Sequence, residues 1–337
     1  MIAPQDPSAD RKMHELEVER IPIRVERAGL NPWADLQLLR SYRRLLKRIR
    51  PSAYLSFTIK PNIYGSMAAG RLGIPAAPNV SGIGNAFLRR DPVQQVVTHL
   101  SRLGFRRAPV VFFQNRDDRD HFLKRKIVRP DQARLLPGSG VDLERFAPAS
   151  PPDGPLTFLL IARLVRDKGV IEFVEAARML REELPDARFQ LLGGPDEGHR
   201  TAISIADVNR WAAEGVIEYL PPTEDVRPFI ASASAIVLPS YREGLPRSLL
   251  EGAAMARPLI GADVPGCREV VEDGVNGYLC AVRDSGSLAD AMLRFACLPD
   301  GERASMGSAA RRTVEKSFSE ELVVSAYLEV LEEVTKV

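Results

Sequence analysis

The sequence predicts an α/β protein made of two doubly wound domains. Along most of its 337 residues, short apolar runs rich in β-branched and aromatic residues alternate with helix-length amphipathic segments. Strand–helix alternation with short links favours a parallel sheet. The alternation is interrupted once, at residues 147–155, where Pro, Ala and Ser dominate as in a linker. We therefore expect a first domain at residues 1–148, a second at residues 149–318, and a C-terminal helix at residues 319–337 that can cross back to the first domain.

The elements of both domains follow in order. In the first domain the predicted helices are WADLQLLRSYRRLLKRIR, NIYGSMAAGRL, PVQQVVTHLSRLGFRR and RDDRDHFLKR, and the strands are AYLSF, PAAPNV, PVVFFQ and ARLLP. In the second domain the strands are LTFLLIA, RFQLLG, VIEYL, AIVLP and PLIGAD. The helices between them are GVIEFVEAARMLREEL, RTAISIADVNRWAAEG, VRPFIASA and PRSLLEGAAMA.

Composition excludes several classes of protein. No apolar run approaches the roughly 20 residues that span a bilayer, and the first residues lack the pattern of a secretory signal, so we expect a cytoplasmic protein. The three cysteines, Cys267, Cys280 and Cys297, fit neither a disulfide framework nor a zinc site, and we expect reduced core thiols. The four histidines are not paired at metal-ligand spacing, so no metal site is predicted.

Two cations follow the first strand of the second domain. Ligands of open α/β sheets bind at the carboxyl ends of the strands, and two such domains facing each other would form a cleft there. Arg163 follows LTFLLIA, and Lys168 comes five residues later at the predicted start of a helix, whose N-terminus favours an anion. The pair indicates a diphosphate clamp. Residues 193–198, GGPDEG, would let a ligand approach the backbone, although turn chemistry explains these glycines equally well.

Two glutamates flank the next candidate helix start. Glu243 lies in the loop after AIVLP, where Gly244 and Leu245 are expected to present exposed amides and Pro246 suits the first helical position. Glu251 falls one to two turns later. A carboxylate accepts two hydrogen bonds in a fork, which matches the adjacent hydroxyls of a ribose. Carboxylates around an anion site indicate a ligand with hydroxyls at both ends and phosphates between them, which describes a nucleotide sugar.

The same segments resemble a known family. ARLVRDKG, FQLLGGP, the run from VLPSYREGLPRSLLEG to NGYL, and LLPGSGVDLERF are similar to the retaining glycosyltransferases of family 4, which have the GT-B fold of two Rossmann-like domains facing a cleft. KPNIYGSMAAGRLGIPAAPNVSGIGNAF resembles a bacterial subset that extends surface polysaccharides or oligosaccharides linked to undecaprenyl diphosphate.

The resemblance implies roles for the candidate residues. The expected reaction transfers a hexose or N-acetylhexosamine from a UDP-sugar, with retention of configuration and without a metal ion. Arg163 and Lys168 would bind the diphosphate and Glu251 the ribose, while Glu243 would contact the transferred sugar. Backbone around that sugar and base would come from Gly244, Leu245, Pro246, Gly193, Gly194 and Leu220. The tentative acceptor side comprises Lys60, Asn62, Ser81 and Gly82.

The chain departs from the family at its start. Family members begin with a strand, a glycine-bearing loop, a helix and a second strand, whereas MIAPQD resembles the end of that second strand. We therefore expect an N-terminally incomplete first domain with uncovered sheet edges. Two interpretations follow: an active transferase whose true start lies upstream, or a non-catalytic or partner-dependent remnant that retains nucleotide-sugar binding. The acceptor-side histidine of the family also has no match, since Thr58 and Lys60 stand in that region.

The first domain carries a strongly basic segment. Between Asp35 and Asp91 there is no acidic residue. One broad face of its first helix is expected to pack on the sheet and contains Leu38, Leu45, Leu46 and Ile49. Other faces carry cations within residues 40–50, notably Arg40, Arg43, Arg44, Lys47, Arg48 and Arg50. These cations are either simply solvated or attracted to an anionic membrane surface.

Two other functions are disfavoured. Nucleic-acid binding lacks an interleaved aromatic platform. A nicotinamide dehydrogenase is a poor alternative, because GGPDEG lacks the dinucleotide fingerprint and the glutamate pair would be unexplained.

Overall fold

The protein has the predicted α/β architecture. The structure is a computed structural model that describes residues 1–4, 13–26, 31–83, 87 and 92–335. Gln5 and Asp6 of the opening segment, residues 84–86 of the first-domain resemblance, and Arg89 and Arg90 of the basic segment lie outside the described residues. The chain divides into unit 1, Met1–Leu135 with Tyr327–Val337, and unit 2, Leu136–Ala326.

The boundary between the units differs from the predicted one at residues 148 and 149. The loop after Leu136 belongs to unit 2 because it is bonded and packed there: the Val141 amide donates to the Phe318 carbonyl at 2.9 Å, and Phe146 is buried in the unit 2 core. The last helix starts in unit 2, and its residues from Tyr327 onward belong to unit 1.

The described residues of unit 1 form two sheets of parallel strands. The pair β1–β2 forms one sheet, and the other has the order β3-β4-β5-β6. The strands are β1 (Ile2–Ala3), β2 (Ile21–Pro22), β3 (Tyr54–Phe57), β4 (Ala76–Val80), β5 (Val111–Phe113) and β6 (Ala133–Leu135). The helices are α1 (Pro32–Ile49), α2 (Ser66–Arg71), α3 (Pro92–Phe105) and α4 (Arg116–Lys124), with a π-helical turn at Pro61–Gly65 and a 3-10 turn at Pro130–Gln132. The predicted helix NIYGSMAAGRL is therefore a π turn followed by α2.

The basic helix α1 has clear end signals. The Asn31 side chain accepts from the Ala34 amide at 3.3 Å and Pro32 opens the helix, while Lys47 and Arg48 complement the dipole in the last turn. Its buried stripe contains Leu38, Tyr42 and Leu46, four positions apart.

Two details of the predicted packing of α1 were wrong. Ile49 is 42% exposed because it is the last helical residue, directly before the left-handed cap Arg50. The buried Tyr42, 1% exposed, was not predicted as part of the packed face.

Unit 2 contains one sheet of parallel strands in the order β12-β11-β10-β7-β8-β9. The strands are β7 (Thr157–Ile161), β8 (Arg188–Leu192), β9 (Glu218–Leu220), β10 (Ala235–Leu238), β11 (Leu259–Ala262) and β12 (Gly277–Cys280). The helices are α5 (Val170–Met179), α6 (Ile205–Ala213), α7 (Arg227–Ser232), α8 (Arg247–Ala254), α9 (Cys267–Val270), α10 (Ser285–Ala296) and α11 (Asp300–Ser317). Helix α12 (Glu320–Thr335) is the last described helix of the chain.

Three predictions for unit 2 need correction. Helix α6 starts at Ile205 rather than residue 200, because the Ser204 side chain caps it by accepting from the Asp207 amide at 3.1 Å. Helix α5 ends at Met179 rather than residue 184. Cys297 is exposed as the C-cap of α10 and is not a core thiol, whereas Cys267 and Cys280 are buried. Among the described residues, no helix is both long enough and apolar enough to cross a bilayer.

Candidate active site

The candidate donor residues gather at the carboxyl edge of the unit 2 sheet. Because the strands are parallel, the segments after β7, β8, β9 and β10 all emerge at this edge. Arg163 and Lys168 follow β7, and Gly193 and Gly194 follow β8. Leu220 ends β9, and Glu243 follows β10. The structure thus places these residues on one edge, as the sequence predicted from strand order.

The loops after β7 and β10 are bonded to each other through the backbone. The Tyr241 amide and the Ser240 hydroxyl both donate to the Asp167 carbonyl, at 2.9 and 3.0 Å. Gly169 adopts a left-handed conformation, φ +74°, and a Cβ there would clash with the Pro239 carbonyl oxygen. Only glycine fits this close approach.

This backbone contact brings Lys168 to Glu243. The Lys168 Nζ lies 2.5 Å from Glu243 Oε1, and the two side chains are 24% and 11% exposed. Lys168 does not start a helix as predicted: it ends a 3-10 turn at Arg166–Lys168, and α5 starts two residues later at Val170. The ammonium is therefore set by the turn and by Gly169 rather than by the first turn of α5.

Arg163 makes a different ion pair. Its Nη1 donates to the carboxylate of Asp196, which belongs to the glycine-rich loop after β8. The Arg163 side chain is 58% exposed and the Asp196 side chain 29%. Neither this pairing nor that of Lys168 was predicted from the sequence.

Gly193 and Gly194 hold the ends of three strands together. The Gly193 amide donates to the Leu220 carbonyl at 3.1 Å, and the Gly194 carbonyl accepts from the Leu164 amide at 2.9 Å. A Cβ at Gly193 would clash with the Ala162 carbonyl oxygen. Close backbone packing therefore explains this glycine without a ligand, while it places Leu220 beside the loop.

Glu251 lies on α8, below the loop that carries Glu243. Helix α8 starts at Arg247, so Pro246 is its N-cap and not its first residue as predicted. The Glu251 side chain is 13% exposed and accepts from Arg247 Nη2 at 3.1 Å. Burial raises the pKa of the Glu251 carboxyl, and Arg247 partly opposes this rise.

The backbone between the two glutamates is tightly packed. Gly244 is half-buried and Leu245 is buried, so the Leu245 backbone is less open than predicted. The Leu245 side chain lies against Gly138, where a Cβ would come within 2.5 Å of it. A Cβ at Gly266, φ +85°, would lie 2.5 Å from the Gly244 carbonyl oxygen. Gly138, Gly169 and Gly266 were not predicted as site residues, and a glycine in a loop after a strand is the one signal that could have suggested them.

A buried carboxylate supports the loop after β10. The Tyr241 hydroxyl donates to Glu172 Oε1 at 2.7 Å, and Glu172 on α5 is 9% exposed. Burial and this hydrogen bond raise the pKa of Tyr241 to about 12. Arg283 lies over the Tyr241 ring, 4.5 Å from its centre. Sequence reasoning missed Tyr241 and Glu172, although a glutamate on the core-facing side of a predicted helix is itself a signal.

The candidate acceptor residues lie in unit 1, at the carboxyl ends of two neighbouring strands. Lys60 and Asn62 follow β3, and Ser81 and Gly82 follow β4. Ser81 and Gly82 are exposed. Lys60 is buried, and its Nζ lies 2.9 Å from Asp35 Oδ1 on α1. The charge of Lys60 is therefore balanced within unit 1.

Asn62 belongs to a polar cluster around the π-helical turn. Its Nδ2 donates to the Asn79 carbonyl at 2.7 Å, and the Asn79 side chain donates to the Tyr327 hydroxyl at 2.6 Å. Asn62 and Asn79 are 3% and 1% exposed. Thr58, directly after β3, has φ +67°, a strained conformation for a β-branched residue. Asn79 and Tyr327 were not predicted from the sequence.

Family models match both parts of the chain. Residues 1–139 match the model described as a glycosyl transferase 4-like domain. Residues 155–297 match the model described as glycosyl transferases group 1.

Two relatives of the chain are named as glycosyltransferases. The N,N'-diacetylbacillosaminyl-diphospho-undecaprenol alpha-1,3-N-acetylgalactosaminyltransferase of Campylobacter jejuni is 26% identical over 100% of this chain and 91% of its own length. The UDP-Gal:alpha-D-GlcNAc-diphosphoundecaprenol alpha-1,3-galactosyltransferase of Escherichia coli is 25% identical over 77% of this chain and 70% of its own length.

Solved structures share the fold. Anabaena Alr3699/HepE, in complex with UDP and glucose, superimposes with a TM-score of 0.79 at 18% identity, over 98% of this chain and 90% of that one. Sucrose-phosphate synthase of Thermosynechococcus elongatus gives a TM-score of 0.76 at 17% identity, over 95% of this chain and 84% of that one. The predicted two-domain GT-B fold is thus confirmed. The chain thus consists of a glycosyl transferase 4-like domain at residues 1–139 followed by a glycosyl transferases group 1 domain at residues 155–297.

Proposed function

We propose that the protein transfers a hexose or N-acetylhexosamine from a UDP-sugar to an acceptor linked to undecaprenyl diphosphate, or to a growing polysaccharide. The observation that carries the proposal is the contact of Lys168 with Glu243 at the edge of the unit 2 sheet. A cation for a diphosphate and a carboxylate for a sugar are adjacent there, as a nucleotide sugar requires. The acceptor class is supported by the names of the two relatives, one of which also names a UDP-sugar.

The donor would be held through its two ends. Glu251 would accept hydrogen bonds from the ribose hydroxyls, and Leu220 with Gly193 and Gly194 would line the base. Binding the ribose would replace the water lost by the Glu251 carboxylate, whose pKa burial already raises.

The reaction would use cations in place of a metal ion. As the bond between the anomeric carbon and the diphosphate breaks, its electron pair goes to UDP, and Lys168 and Arg163 would stabilise the growing negative charge. The acceptor hydroxyl would then bond to the anomeric carbon on the same face and give its proton to the departing diphosphate oxygen. Glu243 would orient the transferred sugar for this attack. Because bond formation and departure take place on the same face, configuration would be retained without a covalent sugar–enzyme intermediate.

The acceptor would be recognised by unit 1. The exposed Ser81 and Gly82 are the better candidates for direct contact. Lys60 and Asn62 are buried and bonded within the unit, so we assign them a supporting role in shaping that edge. The sequence had placed all four residues on a tentative acceptor side without separating these roles.

A cytoplasmic membrane surface would supply such a lipid-linked acceptor. All six cations within residues 40–50 are exposed, and the one acidic residue of α1, Asp35, is buried against Lys60. Each cation near an anionic surface contributes about 1 kcal/mol. We propose that α1 attracts the enzyme to anionic lipid.

Calorimetric titration with UDP tests the donor site. The intact chain should bind UDP, and Glu251→Ala should bind it at least tenfold more weakly because the ribose hydroxyls lose their acceptor. Glu269→Ala, a carboxylate of unit 2 with no assigned role, is the matched control and should bind like the intact chain. Equal UDP affinity of Glu251→Ala and the control would mean that Glu251 does not bind the ribose.

A further inference from the structure

The loop after β8 carries an acidic residue that the proposed reaction does not use. Asp196 lies between Gly194 and Gly198 and contacts the Arg163 guanidinium. The residues directly before it are held by the backbone, because the Leu164 amide donates to the Gly194 carbonyl at 2.9 Å and Leu164 bridges to Pro195. The loop after β7 and the loop after β8 are thus paired directly beside the ion pair.

The charges at this edge are balanced. Both cations of the diphosphate clamp contact a carboxylate: Lys168 contacts Glu243, and Arg163 contacts Asp196. A diphosphate that approaches this set of four charges meets no net positive charge. Because like charges near one cation repel, binding is favoured when one carboxylate moves away.

Asp196 is the carboxylate that can move. Glu243 is 11% exposed and is required beside the transferred sugar, whereas the Asp196 side chain is 29% exposed. Gly198 follows it in the same loop, and a Cβ there would meet no atom within 4 Å, so the loop has room on that side. Arg163 contacts Asp196 through one terminal nitrogen, which leaves the rest of its five-donor fork available to phosphate oxygens.

We propose that Asp196 competes with the diphosphate of the nucleotide sugar for Arg163 and thereby lowers the affinity for the donor. Asp196 then acts on the donor only through Arg163 and is displaced when the donor binds. A weaker grip on UDP also favours its release after transfer. The inference rests on the proposed nucleotide-sugar site and adds a residue that sets its affinity.

Titrations of Asp196→Asn with UDP, inorganic diphosphate and uridine test this inference. UDP and inorganic diphosphate should bind about three- to fivefold more tightly than to the intact chain, as removal of an exposed ion pair allows. Uridine lacks phosphates, so its affinity should not change. Glu197→Gln, which removes the neighbouring exposed charge, should leave all three affinities unchanged. In an Arg163→Ala background, Asp196→Asn should have no effect.

The outcomes separate this inference from the proposed function. Absence of UDP binding by the intact chain would count against the proposed function, and the titration with inorganic diphosphate would still decide the role of Asp196. Weaker or unchanged diphosphate binding by Asp196→Asn would overturn the inference, because Asp196 would then orient Arg163 or have no part. An equal gain with Glu197→Gln, or a gain that persists without Arg163, would reduce the effect to general charge and overturn it too.

Discussion

The ammonium of Lys168 lies 2.5 Å from a carboxylate oxygen of Glu243, although 75 positions separate the two residues in the chain. Two backbone-level contacts set this distance: the hydrogen bonds of Ser240 and Tyr241 to the Asp167 carbonyl, and the close approach of Gly169 to Pro239. The pair joins the group that would meet the leaving phosphate to the group that would orient the sugar.

Replacement of Lys168 by alanine should reduce turnover more than binding. The charge that Lys168 meets grows as UDP leaves, so kcat should fall about 100- to 1000-fold while the affinity for UDP falls much less. Lys168→Arg keeps the charge and should retain more activity than Lys168→Ala. Steady-state kinetics with a UDP-sugar measure kcat, and calorimetric titration measures the affinity for UDP. An equal loss in kcat and in UDP affinity would make Lys168 a simple binding group.

The affinity for uridine should depend on pH through Glu251. Burial raises the pKa of this carboxyl above its usual range, so the protonated form persists to higher pH than in an ordinary glutamate. Protonation removes an acceptor for the ribose, and affinity should fall as pH decreases through the raised pKa. Uridine is the ligand of choice because it has no phosphate that titrates nearby.

The Glu251→Gln variant and the pH dependence of stability check that the effect comes from Glu251. Glu251→Gln should show weak binding with no pH dependence in the same range. The same raised pKa means that the folded state holds this proton more tightly than the unfolded state, so this carboxyl's contribution to stability decreases as pH rises through the window. An intact chain whose uridine affinity does not change as the pH is lowered from neutral through the acidic range would exclude Glu251 as the ribose acceptor.

Gly169→Ala should damage the site beyond its effect on backbone strain. Gly169 and Gly215 have similar left-handed conformations, φ +74° and +71°, but a Cβ at Gly215 meets no atom within 4 Å. Gly215→Ala should therefore cost about 1–2 kcal/mol of unfolding free energy, the ordinary cost of that conformation. Gly169→Ala should cost more and should also lower kcat, because its Cβ clashes with the Pro239 carbonyl. Equal costs in urea unfolding, with unchanged kcat, would mean that the close approach does not position Lys168.

Charge reversal on α1 should release the protein from membranes. The exposed Arg43, Arg44, Lys47 and Arg48 would be replaced by glutamate, and the fraction that sediments with anionic liposomes at moderate salt should fall by more than tenfold. The control for net charge replaces four exposed cations elsewhere in unit 1 by glutamate: Arg106, Arg116, Lys124 and Lys126. Equal sedimentation of the two variants would leave α1 as scaffold.

The sequence predicted the strand–helix order and the strand ends that carry the site. Hydrophobic periodicity and turn residues are local signals, and they located β7 and β10. Because parallel strands end at the same edge of a sheet, Arg163 after β7 and Glu243 after β10 were assigned to one edge. Leu38 and Leu46 were also correctly predicted as buried on α1.

Features that depend on contacts between distant segments could not be predicted. Nothing in the sequence pairs Arg163 with Asp196 or Lys60 with Asp35, because each pair forms only when two loops or a loop and a helix meet. The same holds for Gly169, whose need for glycine comes from Pro239, which follows another strand. The exposure of Ile49 and Cys297 was missed because helix ends, where both residues lie, are poorly defined by periodicity.

The most direct test of the account is sugar transfer itself. The intact chain would be incubated with labelled UDP-hexoses and UDP-N-acetylhexosamines, undecaprenyl-diphosphate-linked glycans in anionic bilayers, and EDTA. The account predicts labelled lipid product from at least one donor in the presence of EDTA, and at least a roughly 100-fold lower rate for Glu243→Gln, the scale expected for loss of a group that acts in the transition state. Transfer at an equal rate by Glu243→Gln, or no product from any donor, would contradict it.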